Sequence, residues 1–425
     1  MAFPHNQTRL GLGTLLAALA VELVDELVDG TKSAAMPLIR HDLALSYLQI
    51  GLLAAVPLVV GSLLELPVGV MAGTGPRRRR FILAGGLLFV ASVLAAGLAT
   101  SFLGLLVALT IFFPASGLFV SLTQAALMDA APARRAQYMA RWTLAGSIGA
   151  VTGPILVAAV IGTGGSWRLA FAVIAGLGAV AWCAVARTGH ATDKPQDGNG
   201  ANPTEVDDGR GDVSDRPWPG WRSALSIIRR SGALRWLVLL QVADLMLDVL
   251  TPFLALYLVA VAHVSPGVAA VAVALRLGAG LAGDVIVIRL LERRDSGLVL
   301  RASIWVTMPL LPAFLLVPGL ALKLVLLAAV TIATAPWYPV LQAELYASLP
   351  GRSNLAVSLT SAAGLFGALG PLTVGVLADR LGLGWAMATL CVVPVLMLAV
   401  PASGRRGAGP GPSTTLASCD KHGRA

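Results

Sequence analysis

The sequence predicts an all-α membrane protein, with twelve transmembrane helices in two pseudo-symmetric six-helix bundles. Three observations lead there. Of 425 residues, 56% are hydrophobic and 12% charged, against about 45–50% and 25% in a soluble domain. The hydrophobic residues fall into two sets of six runs, each long enough to cross ~30 Å of hydrocarbon. The two sets also repeat one another in register, at an offset of about 218 residues.

The first set covers 11–39, 46–72, 81–99, 102–130, 141–163 and 168–187. The second covers 233–259, 264–291, 298–317, 321–348, 353–380 and 384–401. These divide the chain into an N-terminal bundle (1–187), a linker (188–232), a C-terminal bundle (233–401) and a tail (402–425). The linker is nearly free of large apolar residues over 192–217, which marks disorder. From Trp218 it mixes Trp221, Leu225, Ile227 and Ile228 with Arg222, Arg229 and Arg230, the pattern of a short interfacial helix. The tail is expected to be disordered. Arg9 and Ala18-Leu19-Ala20 imitate a cleavable signal peptide, but cleavage would break the six-plus-six count.

Basic residues set the orientation. With the N-terminus inside, 25 Lys and Arg fall on the cytoplasmic side and five (Lys32, Arg40, Arg168, Lys323, Arg380) on the other. Both termini are therefore expected in the cytoplasm, and the protein in the cell (inner) membrane. Lys and Arg outnumber Asp and Glu 31 to 22, an excess that serves topology rather than nucleic-acid binding. Three scattered cysteines (Cys183, Cys391, Cys419) make neither a disulfide framework nor a metal site.

The repeat is specific. Gln124-Ala125-x-Leu127-x4-Pro132-x-Arg134 in span 4 returns as Gln342-Ala343-x-Leu345-x4-Pro350-x-Arg352 in span 10. Gly146, Gly149 and Gly153-Pro154 in span 5 return as Gly364, Gly367 and Gly370-Pro371 in span 11. Trp167 and Trp385 open spans 6 and 12. Internal repeats of this kind mark secondary transporters, whose sites lie at the repeat interface.

At this level the chain resembles the major facilitator superfamily over about residues 9–401. The family's Gly-x3-Asp loop signature reads Gly69-x3-Gly73 after span 2, followed by Arg77, Arg78, Arg79 and Arg80, without its acid. It is intact after span 8 as Gly280-x3-Asp284, with Arg289, Arg293 and Arg294. Gly375-x3-Asp379-Arg380 looks alike but falls on the outer side. Gly149-x3-Gly153-Pro154 resembles the span-5 motif of proton antiporters without its closing glycines. Leu45-Ser46-Tyr47-x-Gln49-Ile50-Gly51-Leu52 is similar to fosmidomycin-resistance-type exporters. The resemblance implies a major facilitator fold, spans 1, 4, 7 and 10 around the cavity, and spans 3, 6, 9 and 12 against lipid.

Carboxylates in the apolar spans are the candidate site. Span 1 carries Glu22, Asp25, Glu26 and Asp29, all within one arc of about 100°. Span 7 carries Asp244 and Asp248, an i, i+4 pair that matches Asp25 and Asp29, with Gln241 one turn earlier. Glu344 sits beside Gln342 in span 10, Gln124 in span 4, and Glu65 in span 2. Each carboxylate at a helix centre costs ~2.5–3.5 kcal/mol on insertion scales, so these acids must line water or protein. Crowded carboxylates that exchange protons near neutral pH suit a proton-coupled carrier. Arg276 in span 8 is expected to pair with an acid, Asp284 lying two turns away. Gly69, Arg77, Arg78, Gly149, Gly153, Pro154, Arg276 and Asp284 are read as gating or structural.

Other signals carry less. Gly278-x-Gly280-x-x-Gly283 matches a dinucleotide fingerprint but lies inside span 8, where glycines serve helix packing. There is no Gly-Lys pair and hence no P-loop; the five histidines all fall in loops or tails. Pro309, Pro312, Pro336 and Pro339 are kink candidates.

Together these features imply secondary active transport by alternating access: proton-coupled export of a small cationic or neutral organic compound, by a monomer with no enzymatic activity. No cofactor, metal or nucleic acid is called for; the expected partners are substrate, protons and the lipid bilayer. Proton-coupled uptake of a cation or nutrient, and a non-transporting receptor or assembly protein, are the alternatives.

Overall fold

Capping residues cut the apolar runs into helices at the expected places. The computed structural model describes residues 11–72, 76–130, 135–188, 232–348, 363 and 367–399. The first half holds α1 (Leu12–Asp42), α2 (Tyr47–Ala72), α3 (Pro76–Leu98), α4 (Phe102–Ser116, continuing through Leu122–Ala130), α5 (Arg135–Gly162) and α6 (Trp167–Thr188). The second holds α7 (Ala233–Ala260), α8 (Pro266–Leu291), α9 (Ser296–Leu316), α10 (Leu320–Thr334 and Trp337–Ser348), α11 (Leu369–Leu381) and α12 (Leu383–Ala399). The helices α1 to α12 are spans 1 to 12. The interfacial helix expected from Trp218, the linker, the tail with Cys419, and the side chain of Glu65 lie outside the described residues.

Among the described residues, nine helices are long and apolar enough to cross a membrane. Helix α1 has the length, with 31 residues, but carries the carboxylates Glu22, Asp25, Glu26 and Asp29 along its apolar stretch, and Asp42 at its end. It survives by burial within the bundle, packed against α5 and α6 of its own half and against α7 and α8 of the other.

Ser101 caps α4 by accepting from Gly104 N–H at 3.2 Å, and Asp295 caps α9 by accepting from Gly297 and Leu298 N–H at 3.0 and 3.2 Å. Gly382 alone joins α11 to α12, with φ +86°, a conformation that L side chains rarely adopt. The lipid side shows as apolar stripes: Leu169, Val173, Leu177 and Val180 are exposed on α6 at spacings of three and four residues.

Two helices lose regularity at the same place in the repeat. Helix α4 passes through a π-helical turn at Gly117–Ser121, after Pro114. Helix α10 breaks at Ala335 and Pro336, 218 residues after Gly117 and Leu118. Pro309 and Pro312 lie inside continuous α9.

At the end of the bundle that carries the turns 43–46, 99–101 and 317–319, Lys323 is buried, with 3% exposure. It donates to the carbonyls of Phe314 and Leu315 at 2.8 and 3.2 Å and to the Tyr257 hydroxyl at 3.1 Å. It thereby satisfies the last turn of α9, where carbonyls have no helical partner. This lysine is a structural cap.

Candidate functional site

Glu22, Asp25, Glu26 and Asp29 of α1 share one arc, but their neighbours separate them. Asp25 accepts a hydrogen bond from Ser116 Oγ at 2.8 Å, from the residue that precedes the π turn of α4. Such turns recur at functional sites because they re-aim a side chain. Glu22 lies within hydrogen-bonding reach of Trp142 on α5. Asp29 pairs with Lys32 at 2.5 Å. Glu26 packs towards Gly149 of α5.

The α7 pair is divided as well. Asp248 lines a cavity of about 240 Å³ between the halves, together with Asp29, Lys32 and Ser33 of α1. Asp244, one turn earlier, lines a second cavity of about 280 Å³ formed by α7, α8 and α10. Gln241 and Gln342 each bury a side-chain carbonyl oxygen that accepts no hydrogen bond from the described residues. Gln124 Nε2 donates to Met139 Sδ at 3.6 Å. Glu344 accepts from Ser296 Oγ at 3.3 Å, a tie between α10 and the start of α9. It stands apart from the residues that line the Asp244 cavity.

Arg276 departs from expectation. It is 6% exposed, yet among the described residues it has no ion pair and no hydrogen bond. The expected partner, Asp284, sits eight residues on in the same helix, about 12 Å along its axis, and the two side chains do not meet. Arg276, Asp244 and Asp284 instead line one cavity, each on its own. Asp284 is thus a wall residue of α8, which runs on to Leu291, and no loop residue. A charged side chain within the membrane is tolerated where it faces a water-filled cavity or a partner.

Glycines hold these acids close to α5 and α11. A Cβ on Gly146 would stand 2.6 Å from Glu22 Oε1, one on Gly149 2.1 Å from the Leu23 carbonyl oxygen, and one on Gly153 2.7 Å from that of Leu27. In the second half a Cβ on Gly367 would stand 2.9 Å from Asp248 Oδ2, and one on Gly370 2.3 Å from Leu245 Cδ1. The glycine repeat seen in the sequence is therefore one packing device used twice: α5 against α1, and α11 against α7. Pro154 belongs to the same contact, facing Gly30. Gly283 serves likewise, since a Cβ there would meet Ala335 Cβ at 2.8 Å; Gly280 makes only an ordinary 3.8 Å contact and Gly278 has nothing within 4 Å, so of the three glycines in the dinucleotide-like stretch Gly283 alone is held by helix packing. Of the arginine run, Arg79 donates to the Ala186 carbonyl at 3.0 Å, while Arg77 is exposed and Arg78 half-buried. Gly69 falls in α2, three residues before its end.

The Gly375-x3-Asp379 stretch, a lookalike in the sequence, makes one of the contacts that join the halves. Asp379 accepts from the backbone N–H of Tyr47 and Leu48, both at 2.9 Å, at the start of α2. Ser46 and Gln49 complete that terminus reciprocally, Gln49 N–H to Ser46 Oγ at 3.1 Å and Ser46 N–H to Gln49 Oε1 at 2.9 Å. This capping box explains the Leu45–Leu52 pattern. Glycines let the backbones touch: a Cβ on Gly51 would meet the Pro371 carbonyl oxygen at 2.6 Å, and one on Gly375 that of Tyr47 at 2.5 Å. Losing a helix-capping acid costs about 1 kcal/mol, roughly a fivefold change in a two-state population. Asp379→Ala should therefore lengthen the spin-label distance between cysteines placed at His41 and Leu381, measured by pulsed electron spin resonance without the native thiols. An unchanged distance distribution would show that the Asp379 contact does not hold the halves together.

Sequence reasoning missed Ser116, Trp142 and Asp379. Pro114 ahead of Ser116-Gly117, in an otherwise apolar run, was the available signal for the first. Among the described residues, no group of three or more His, Cys, Asp or Glu is placed to hold a metal ion.

Comparison with known proteins matches this arrangement to a family. The family model of the Major Facilitator Superfamily matches residues 12–337. The chain belongs to that superfamily. It is a multi-pass membrane transporter rather than an enzyme. No curated protein sequence matches the chain. Among solved structures, a bacterial homologue of the human lysosomal transporter Spinster, inward-facing and unoccupied, shares the fold at TM-score 0.74 and 16% identity, over 91% of this chain and 95% of that one. The nucleoside transporter NupG aligns at TM-score 0.73 and 12% identity, over 91% and 98%. A peptide transporter, POT, in complex with sulfate aligns at 0.65 and 15%, over 91% and 94%. At such identities the likeness is one of major facilitator fold.

Proposed function

We propose that this major facilitator protein is a proton-coupled exporter of a small cationic or neutral organic compound, resident in the cell membrane with both termini cytoplasmic. The observation that carries the reading is the set of carboxylates on the first helix of each half, with Asp29 and Asp248 on one cavity and Asp244 on another. Asp25 and Asp244, equivalent in the repeat, bind and release the protons. Asp25 has the Ser116 hydroxyl beside it, and Asp244 opens on a cavity able to hold a small molecule. Glu22 and Asp248 assist, and Glu26 completes the acidic face. The Lys32 contact makes Asp29 the least free of the set. Substrate and proton compete for these acids as the halves rock about the α2–α11 contact.

The test uses proteoliposomes loaded with acid and probes that do not titrate: benzyltrimethylammonium, benzyl glucoside and benzenesulfonate as cation, neutral compound and anion. Saturable, protein-dependent accumulation of the cation or the glucoside in the acidic interior is expected, collapsing with the gradient. Accumulation of the sulfonate alone, or accumulation indifferent to the gradient, overturns the reading.

A further inference from the structure

The cavity between α7, α8 and α10 holds three formal charges that do not neutralise one another. Arg276 is more than nine-tenths buried and, among the described residues, has no hydrogen-bond or ion-pair partner. Its guanidinium presents five donors in a planar fork, whose natural complement is a carboxylate, phosphonate or similar oxyanion bound through two parallel hydrogen bonds. The same cavity contains the carboxylates of Asp244 and Asp284, which accept from an ammonium group.

Gly280 lies between Arg276 and Asp284, one helical turn from each and on the same face of α8. Packing does not require a glycine there: a Cβ would make an ordinary 3.8 Å contact with Thr331 Cγ2. What the glycine does is leave bare the floor between the two charges. The walls are apolar, with Met246, Leu250 and Val330 among them.

We infer that this cavity binds an amphoteric substrate: an oxyanion on Arg276, an apolar body over Gly280, and a basic nitrogen on Asp244 and Asp284. Such a compound is neutral overall, so the inference deepens the transport reading above and rests on it for the cavity's purpose. It also explains how a transporter rich in intramembrane acids admits a negative group, since the repulsion from the carboxylates is met by the ligand's own cation.

The test is calorimetric binding to purified protein in detergent. The probes are para-(aminomethyl)benzoate, which carries both charges, and benzylamine and benzoate, which carry one each. The amphoteric probe should bind at least tenfold more tightly than either of the others. Arg276→Gln should weaken it tenfold or more and leave benzylamine within about twofold. Asp244→Asn combined with Asp284→Asn should instead abolish the advantage over benzoate. Arg276→Lys, which keeps the charge but not the fork, should fall between wild type and Arg276→Gln and guards against a folding defect. Gly280→Leu should abolish binding of all three probes while thermal unfolding stays near wild type.

Benzylamine binding as tightly as the amphoteric probe would overturn the inference. So would equal losses for both probes in Arg276→Gln, or no binding of any probe. No gradient enters these measurements. A protein that obeys the charge rule but shows no gradient-driven flux refutes the proton-coupling proposal and leaves this site standing. Gradient-driven flux without the charge rule does the reverse.

Discussion

Gly149→Ala is expected to be strongly destabilising, with thermal unfolding well below that of wild type. The added Cβ would lie 2.1 Å from the Leu23 carbonyl oxygen and 3.2 Å from Glu26 Cβ. The nearer obstacle is backbone in the middle of α1, so no side-chain rotation relieves it. Overpacking a well-filled interior costs ~1–3 kcal/mol, occasionally more, when neighbours can shift. Here α1 as a whole would have to move off α5, carrying Glu22, Asp25 and Glu26 with it. A loss of about 3 kcal/mol is a large part of a typical stability of 5–15 kcal/mol. Gly278→Ala is the control, because nothing lies within 4 Å of its Cβ position. Inside a helix that change should be neutral, or stabilising by up to about 1 kcal/mol. Thermal unfolding in detergent separates the two. A Gly149→Ala protein that melts with wild type would disprove the glycine-mediated contact.

Asp25→Asn and Asp244→Asn should each uncouple transport while leaving the carrier intact. Asparagine keeps the shape of the side chain, and at position 25 its amide oxygen can still accept from Ser116 Oγ, but it holds no exchangeable proton in this range. One pH unit supplies about 1.4 kcal/mol per proton, hence at most about tenfold accumulation for one-to-one exchange. Without the proton, accumulation of benzyltrimethylammonium in acid-loaded vesicles falls to a ratio of about one. Exchange of labelled for unlabelled probe, which needs no gradient, persists. Wild-type accumulation ratios in both variants would take these two acids out of the coupling mechanism.

The arrangement of helices was legible because bilayer thickness and hydrophobic run length are tied by simple geometry. The repeat was legible because Gly149 and Gly367 do the same packing in both halves. The acids of α1 and α7 stood out by the cost of placing charge among apolar residues. Their partition between cavities did not. One helical turn separates Asp244 from Asp248, and which cavity each faces depends on helices far away in sequence. Arg276 shows the same limit: an acid two turns away on a helix suggested an ion pair, but about 12 Å of axial rise keeps the groups apart. In the sequence Asp379 reads as a lookalike of a loop signature, because it falls on the outer side. Its role comes from the start of α2, 331 and 332 residues away in sequence, where unpaired N–H groups meet a carboxylate. The π turn that brings Ser116 to Asp25 has no strong sequence signature beyond Pro114.

The most direct test of the central claim, that this carrier exchanges protons for substrate, is to watch the protons themselves. Wild-type protein is reconstituted in weakly buffered vesicles with a trapped pH dye and no imposed gradient. Benzyltrimethylammonium is then added outside. Exchange requires that each probe entering sends protons out, so the interior should become alkaline in proportion to the probe taken up. The trace should stay flat in Asp25→Asn vesicles. Probe entry into wild-type vesicles with no change in internal pH would contradict the account.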